Sequence, residues 1–437
     1  MRDLGTEGRA GTASTTSPAD ARQLAPSLAE VEAFIERLGL DAHGLDDAQQ
    51  IDRIAALERL RSAAEAAQTE TVADFALSQR QAAADRGVPA SRRDRGVGAQ
   101  VALARGVSPT RGQQHVSLAM VLRVELGHTR AAFRAGRIDA FKATLIARET
   151  ACLSAEHRAR VDEELCADLG VLESLSPRQL VGRLHRAAAE LDPAAVVERR
   201  RRAEADRHTT LRPAPDTMTW LGALLPVKDG VAVHATLDRG ARAAKAAGDE
   251  RTLGQLMADL LVQRVLGAQS GSEKGVPVTV NLIVRDSVLL GEQDGAGWVE
   301  GHGPVPGDLL RQWVADNLDS GVGAWLRRVY EQPATGSLVA MDSQATFFQG
   351  GLADFLRVRD RVCRTRGCGA PVRHLDHVEP RARGGSTTAA NGQGLCELCN
   401  YAKEADGWSV RTIPGPRHTV EITTPTGHTY SSTADPL

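Results

Sequence analysis

Apolar residues recur every three to four positions through most of residues 27–270, the repeat of a helix with one buried face. Ser27 followed by Glu30 forms a capping-box pattern, and Leu28, Val31, Phe34, Ile35 and Leu38 then mark one face. A second helix starts at Asp46 or Asp47 and runs through Ile51, Ile54, Leu57, Leu60 and Ala64 towards Ala84. The polar, basic stretch from Arg86 to about Gly98 reads as a loop. Ser108-Pro109, Ser176-Pro177 and Asp192-Pro193 each open a further helix, since proline fits the first turn. Asp139 precedes another, carrying Phe141, Leu145 and Ile146. Short extended stretches follow at Thr209–Leu211 and Met218–Leu221, with Pro213, Pro215 and Asp216 turning between them. Helices resume near Asp229 and over Thr252–Leu266.

The pattern then changes. Residues 268–275 read as a linker, and a strand is expected within Val276–Leu290, where Val276, Val278, Val280, Leu282 and Val284 alternate with Pro277, Thr279, Asn281 and Ile283. A glycine-rich turn over Gly291–Gly303 leads to a helix near Gly307–Val329, and Thr335-Gly336 sits in a hairpin. A helix from about Gly351 runs into Cys363, and short strands are expected at 408–410, 420–422 and 428–431. The expected domains are therefore a disordered tail over 1–26, a helical domain over 27–270, a mixed α/β connection over 271–350, and a compact module over 351–432 ending in a hairpin. The fold class is mainly α, with a small α+β segment before the C-terminal module.

Composition narrows the function. The formal charge is −2, so the chain as a whole is no polyanion binder, and any nucleic-acid affinity must be local. Aromatic residues make up only 3%, too few for a platform that stacks single-stranded bases. The absence of an apolar run after Arg2, or of about 18 consecutive apolar residues anywhere, leads to an expectation of no signal peptide, no membrane span and a cytoplasmic protein. The run Arg199–Arg202 reads as an exposed helix end, because Glu198, Glu204 and Asp206 flank it.

Residues 361–408 concentrate the chemistry. Four of the six cysteines lie there, as the pairs Cys363/Cys368 and Cys396/Cys399 with 27 residues between. Two close pairs of soft donors suit a closed, structural zinc site, and in a reducing compartment zinc is favoured over disulfides. Cys152 and Cys166 have no such spacing and read as buried thiols. Between the pairs stand Asp376, a hard oxygen donor suited to Mg²⁺, and His377, a base near neutral pH. In an extended strand these two point to opposite faces. Asn400, on a helix starting near Cys396, brings an amide oxygen for the same ion. From Arg357 to Arg383 there are eight arginines against three acidic residues, a charge suited to phosphate contact. Arg381, Arg383 and Lys403 are the expected nucleic-acid contacts.

The Asp376-His377 pair, Pro380, Gly384-Gly385-Ser386, Asn391 and the C-x-x-C-N-x-x-K run from Cys396 to Lys403 resemble the HNH endonuclease finger, in its H-N-N variant. The resemblance implies a ββα-metal fold and metal-dependent hydrolysis of DNA. His377 would be the general base, Asp376 and Asn400 would hold Mg²⁺ or Mn²⁺, and Asn391 would tie its loop back to position His377. One finger cuts one strand, so a double-strand break implies a homodimer or two successive events. Gly392 stands where the family mostly has leucine, and with Gly394 it is expected to remove packing and loosen the Asn391 loop. The whole chain is similar to actinobacterial proteins in which domain of unknown function 222 precedes such a finger. The carrying residues are Leu57–Leu60, Gly136–Ile138, Leu191–Pro193 with its following arginines, and the strand before the glycine loop. Two alternatives are a zinc-finger DNA-binding protein that does not cut, and a helical scaffold for a protein partner.

Overall fold

The computed structural model describes residues 25–40, 44–267, 282–319, 331–332, 337–338 and 348–436. The expected disordered tail (up to residue 24), the linker, the alternating residues 276–281 and the Thr335-Gly336 hairpin lie outside them. Residues up to Glu58 form one unit and those from Arg59 another. In the first, helix α1 (Leu28–Leu38) starts with the expected Ser27/Glu30 capping box and buries no residue.

Helix α2 (Asp47–Asp85) runs on into the second unit, where its small residues Ala66, Ala73 and Ala76 are buried. There follow α3 (Val97–Arg105), α4 (Pro109–Val124), α5 (Gly127–Arg134), α6 (Ala140–Glu149), α7 (Ala155–Cys166), α8 (Leu169–Ser174), α9 (Pro177–Leu191) and α10 (Pro193–Ala205). The main core gathers Leu122, Leu126, Phe133, Ile146, Val161, Leu172, Leu180 and Leu184 from α4 to α9. A second cluster joins Val72, Val97, Val101 and Val116 of α2, α3 and α4. Helices α3 and α4 cross at Gly98 and Gly112, where a Cβ on Gly112 would lie 2.2 Å from the Gly98 carbonyl oxygen, so no larger residue fits.

Buried polar groups lock the bundle. Asp162 of α7 accepts from the backbone of His128 (2.7 Å) and Thr129 (3.0 Å), satisfying the open N-terminus of α5. Burial alone would raise the Glu149 carboxyl, but hydrogen bonds from His185, Arg148 and Arg199 pull it down to about 2. Arg199 is thus committed to the fold at 2.6 Å from Glu149. The other three arginines of the run pair with Glu198 or Glu204, as an exposed helix end would. Burial pushes the Cys166 thiol up to about 12, in keeping with an inert core cysteine.

The hairpin β1 (His208–Pro213) and β2 (Thr219–Leu224) and the helix pair α11 (Val227–Ala246) and α12 (Leu253–Leu266) come next. The small sheet β3 (Leu282–Ile283), β4 (Ala296–Val299) and β5 (Gly303–Pro306) carries α13 (Asp286–Leu289) between its first two strands and packs under α14 (Gly307–Asp319). Two sequence expectations are corrected here. In the described part of the 276–290 stretch, the strand covers only 282–283, because Asp286 and Ser287 turn the chain into α13. The glycine-rich 291–303 segment is not all turn but holds strand β4: a Cβ at Gly297 would lie 2.4 Å from Leu310, so the glycine lets α14 lie directly on β4.

The two-residue strands β6 (Glu331–Gln332) and β7 (Ser337–Leu338) precede α15 (Gly350–Asp360). The C-terminal module is a ribbon of β8 (His374–His377) and β9 (Gly392–Leu395), then α16 (Glu397–Lys403). It closes with the three short strands expected there, an antiparallel meander of β10 (Ser409–Ile413), β11 (Thr419–Thr423) and β12 (Thr429–Thr433) that adds one strand to a hairpin.

His115 and His418 are both held at about 4, mainly by burial, with a nearby arginine adding to the effect. Each favours the neutral imidazole in the fold, so the unfolded chain binds more protons as pH falls. Their stabilising contribution is complete above about 6.5, the ordinary histidine value, and is lost as pH falls towards 4. Urea melts are therefore expected to weaken across that window, and His418→Gln to flatten part of the slope; an unchanged slope in the variant would count against His418 as a contributor.

Candidate active site and zinc centre

The four cysteines converge. Their sulfurs all lie within 4.8 Å of one another, and Cys368 and Cys396 are 3.7 Å apart. Tetrahedral zinc with bonds of about 2.3 Å requires sulfurs about 3.8 Å apart, so the donors fit that ion. Backbone hydrogen bonds form the first knuckle: Cys363 donates to the Ala370 carbonyl (2.7 Å) and Cys368 to that of Thr365 (3.1 Å). Cys396 forms the second as the N-cap of α16, its sulfur accepting from the Cys399 backbone at 3.4 Å.

The ribbon sorts its side chains by alternation. His374 and Asp376 face α16, and the His377 ring lies on the other side, as extended geometry demands. On the helix, Asn400 and Lys403 are three residues apart and share a face. Lys403 Nζ lies 2.6 Å from Asp376 and donates to the His377 carbonyl at 2.9 Å. Asn400 Nδ2 lies 2.9 Å from His374 Nδ1. The Asn400 Oδ1 atom is buried without a hydrogen-bond partner. An unpartnered buried oxygen is costly, and beside a carboxylate it is the atom a cation would claim.

His377 Nε2 lies 2.9 Å from the hydroxyl of buried Thr387, and its ring packs 4.5 Å from that of Phe348. Burial, helped by the charges of Arg381 and Lys403, holds His377 below its usual value against the pull of Asp376, so the ring is neutral at pH 7. Asn391 fixes the loop that follows. Its Oδ1 accepts from the Glu379 backbone (2.8 Å), and its Nδ2 donates to the carbonyls of Glu379 (3.0 Å) and Ser386 (2.8 Å). The Gly-Gly turn serves the same closure: Gly384 has φ +92°, and a Cβ on Gly385 would lie 1.8 Å from the Glu379 carbonyl oxygen.

Gly392 is not a loose spot. A Cβ there would lie 2.7 Å from Leu356 and 2.8 Å from Phe348, so α15 and its preceding residue fill the space that a leucine would take. Gly394 likewise admits Val372, and its N–H donates to Asp360 at 2.6 Å. Arg359, buried and paired with Asp360, donates to the carbonyls of Ala389 (2.6 Å) and Gly392 (2.7 Å), clamping both ends of the Asn391 segment. Gly392→Leu is therefore expected to destabilise the module by roughly 1–3 kcal/mol through overpacking. A denaturant melt no less stable than wild type would refute the packing account.

The charge cluster is less uniform than the sequence suggests. Arg359 and Arg364 are buried in the fold, whereas Arg381 and Arg383 are exposed on a single turn beside the site. Lys403, expected at the surface, is 7% exposed and spends its charge on Asp376, the His377 carbonyl and Glu404. Thr387, His374 and Arg359 were not singled out from sequence. His374 alone left a signal, standing two residues before Asp376 in a strand.

The helical bundle abuts this module. Helix α16 packs on α4, Arg95 donates to the Tyr401 carbonyl at 3.2 Å, and Thr426 to Gln100 at 3.3 Å. A Cβ on Gly96 would lie 2.9 Å from the Trp408 indole nitrogen, and one on Gly367 the same distance from the Gly106 backbone.

A four-cysteine knuckle pair, a two-stranded ribbon and a short helix, with Asp-His on the first strand and Asn on the helix, define a finger of the HNH class whose cysteines are placed to hold zinc. Residues 363–406 match the HNH endonuclease domain, and residues 54–360 match the family of the domain of unknown function DUF222. The chain belongs to that DUF222 family and carries an HNH endonuclease domain after it. It is similar to the uncharacterized protein Rv3776 of Mycobacterium tuberculosis, 27% identical over 383 residues that span 77% of this chain and 70% of that protein. No solved structure matches. No described helix is long and apolar enough to cross a membrane.

Proposed function

We propose that the protein is a metal-dependent endonuclease that hydrolyses DNA phosphodiester bonds. The observation that carries this reading is the unpartnered, buried Asn400 Oδ1, on the helix face that also pairs with the Asp376 carboxylate. Asp376 and Asn400 would hold Mg²⁺ or Mn²⁺. Such an ion, when bound, offsets charge on the scissile phosphate and on the departing 3′ oxygen.

The remaining work falls to the chain. His377, neutral and fixed by Thr387, takes a proton from the water that attacks phosphorus. Asn391 holds the Glu379 and Ser386 backbone, and so the strand end that carries His377. Arg381 and Arg383, exposed beside the site, bind neighbouring phosphates as guanidinium forks. Lys403 acts as an internal clamp between Asp376 and the His377 backbone, in place of the phosphate contact that its sequence position suggested.

The test is supercoiled plasmid incubated with zinc-loaded protein and Mg²⁺ or Mn²⁺. Nicked or linear product that disappears with EDTA is expected. Intact plasmid under both ions, with the protein folded and zinc-bound, would rule the reading out.

A further inference from the structure

We infer that His374 is a third ligand of the divalent ion at the Asp376–Asn400 site, and that its nitrogen biases the site towards Mn²⁺ over Mg²⁺. This rests on the metal-dependent reading above and goes beyond its two oxygen ligands.

The argument starts from alternation. His374 and Asp376 lie two apart in β8, so their side chains leave the same face of the ribbon. That face meets α16. His374 Nδ1 sits 2.9 Å from Asn400 Nδ2, which can only donate, so Nδ1 must be the unprotonated nitrogen. A metal at Nδ1 would displace this hydrogen bond and take the same lone pair. That lone pair points at the amide whose other atom, Oδ1, is buried without a partner. An imidazole nitrogen, a carboxylate and an amide oxygen thus come from one strand face and one helix face.

The His374 ring is also held. Tyr401 meets it edge-on, with centroids 6.0 Å apart at 77°, and the Tyr401 carbonyl is fixed by Arg95 of the helical bundle. A ligand with a locked ring binds with less ordering cost. Mg²⁺ favours an all-oxygen shell, whereas an imidazole nitrogen strengthens binding of first-row transition ions. The mixed donor set therefore sets a preference, and His374 is the residue that sets it.

The experiment is a titration of zinc-loaded, full-length protein with Mn²⁺, reading free Mn²⁺ by its EPR signal, with Mg²⁺ affinity taken from competition. Wild type is compared with His374→Ala, and with His374→Gln should the alanine variant lose zinc or secondary structure. We expect Mn²⁺ binding to weaken by about tenfold or more and Mg²⁺ binding by clearly less. Mn²⁺ binding unchanged within about twofold would overturn the assignment, at a scale well below a ligand's worth. A fall by the same factor for both ions would overturn it too, because it would make His374 only a support for Asn400. Either result, with ion-dependent cleavage still seen in wild type, leaves the nuclease reading standing. A wild type that binds neither ion removes both.

Discussion

His377→Ala is expected to lower the rate of plasmid nicking by about 10²–10⁴-fold, the range associated with a positioned general base. Its fold should survive. His377 ends β8, and its backbone contacts, including the bond from Lys403 to its carbonyl, do not depend on the imidazole. Among the described residues, the ring itself contributes the Thr387 hydrogen bond and the Phe348 contact. Zinc content and melting temperature should therefore stay near wild type while cleavage falls. A variant that still cuts at close to the wild-type rate would show that the proton goes elsewhere.

Loss of the zinc frame should have the larger effect on stability. Structural zinc in small fingers contributes on the order of 10 kcal/mol of apparent free energy at neutral pH. Cys396→Ala would remove a thiolate and also the cap on the first turn of α16, since its sulfur accepts from Cys399. The ribbon and α16 are then expected to melt as one unit, taking Asn400 and Lys403 with them. Trp408, 6% exposed, reports the event through a red shift of its fluorescence. The helical core of α4 to α9 is built without any residue of the module, and its far-UV signal should persist. A Cys396→Ala protein that keeps its zinc and its melting profile would contradict the frame.

The readable parts of the site were those encoded by short spacing. The cysteine pairs, Asp376-His377, Asn391 and Asn400 lie in local patterns whose chemistry follows from residue type, and the structure sets the four sulfurs together. Capping residues announced five helices for the same reason: Ser27, Ser108, Asp139, Ser176 and Asp192 each bond within three residues. What sequence could not reveal depends on distant partners. Lys403 is within the module yet buried, because Asp376 and the His377 carbonyl reach it across 26 to 27 residues. Gly392 looked like lost packing until Leu356, 36 residues earlier, was seen to fill its place. The small sheet was hidden by glycines, such as Gly297, that are there to admit α14.

The seam between bundle and finger has a bearing on how such proteins change over time. Arg95 holds the residue after Asn400, Gly96 makes room for Trp408, and the Gly106 backbone touches Gly367. A finger excised at Cys363 would therefore bare that seam and lose α15, whose Arg359 clamps the Asn391 segment. The HNH module is thus no free-standing cassette: a change at Arg95, Gly96 or Gly106 bears directly on Tyr401, Trp408 or Gly367 across the seam.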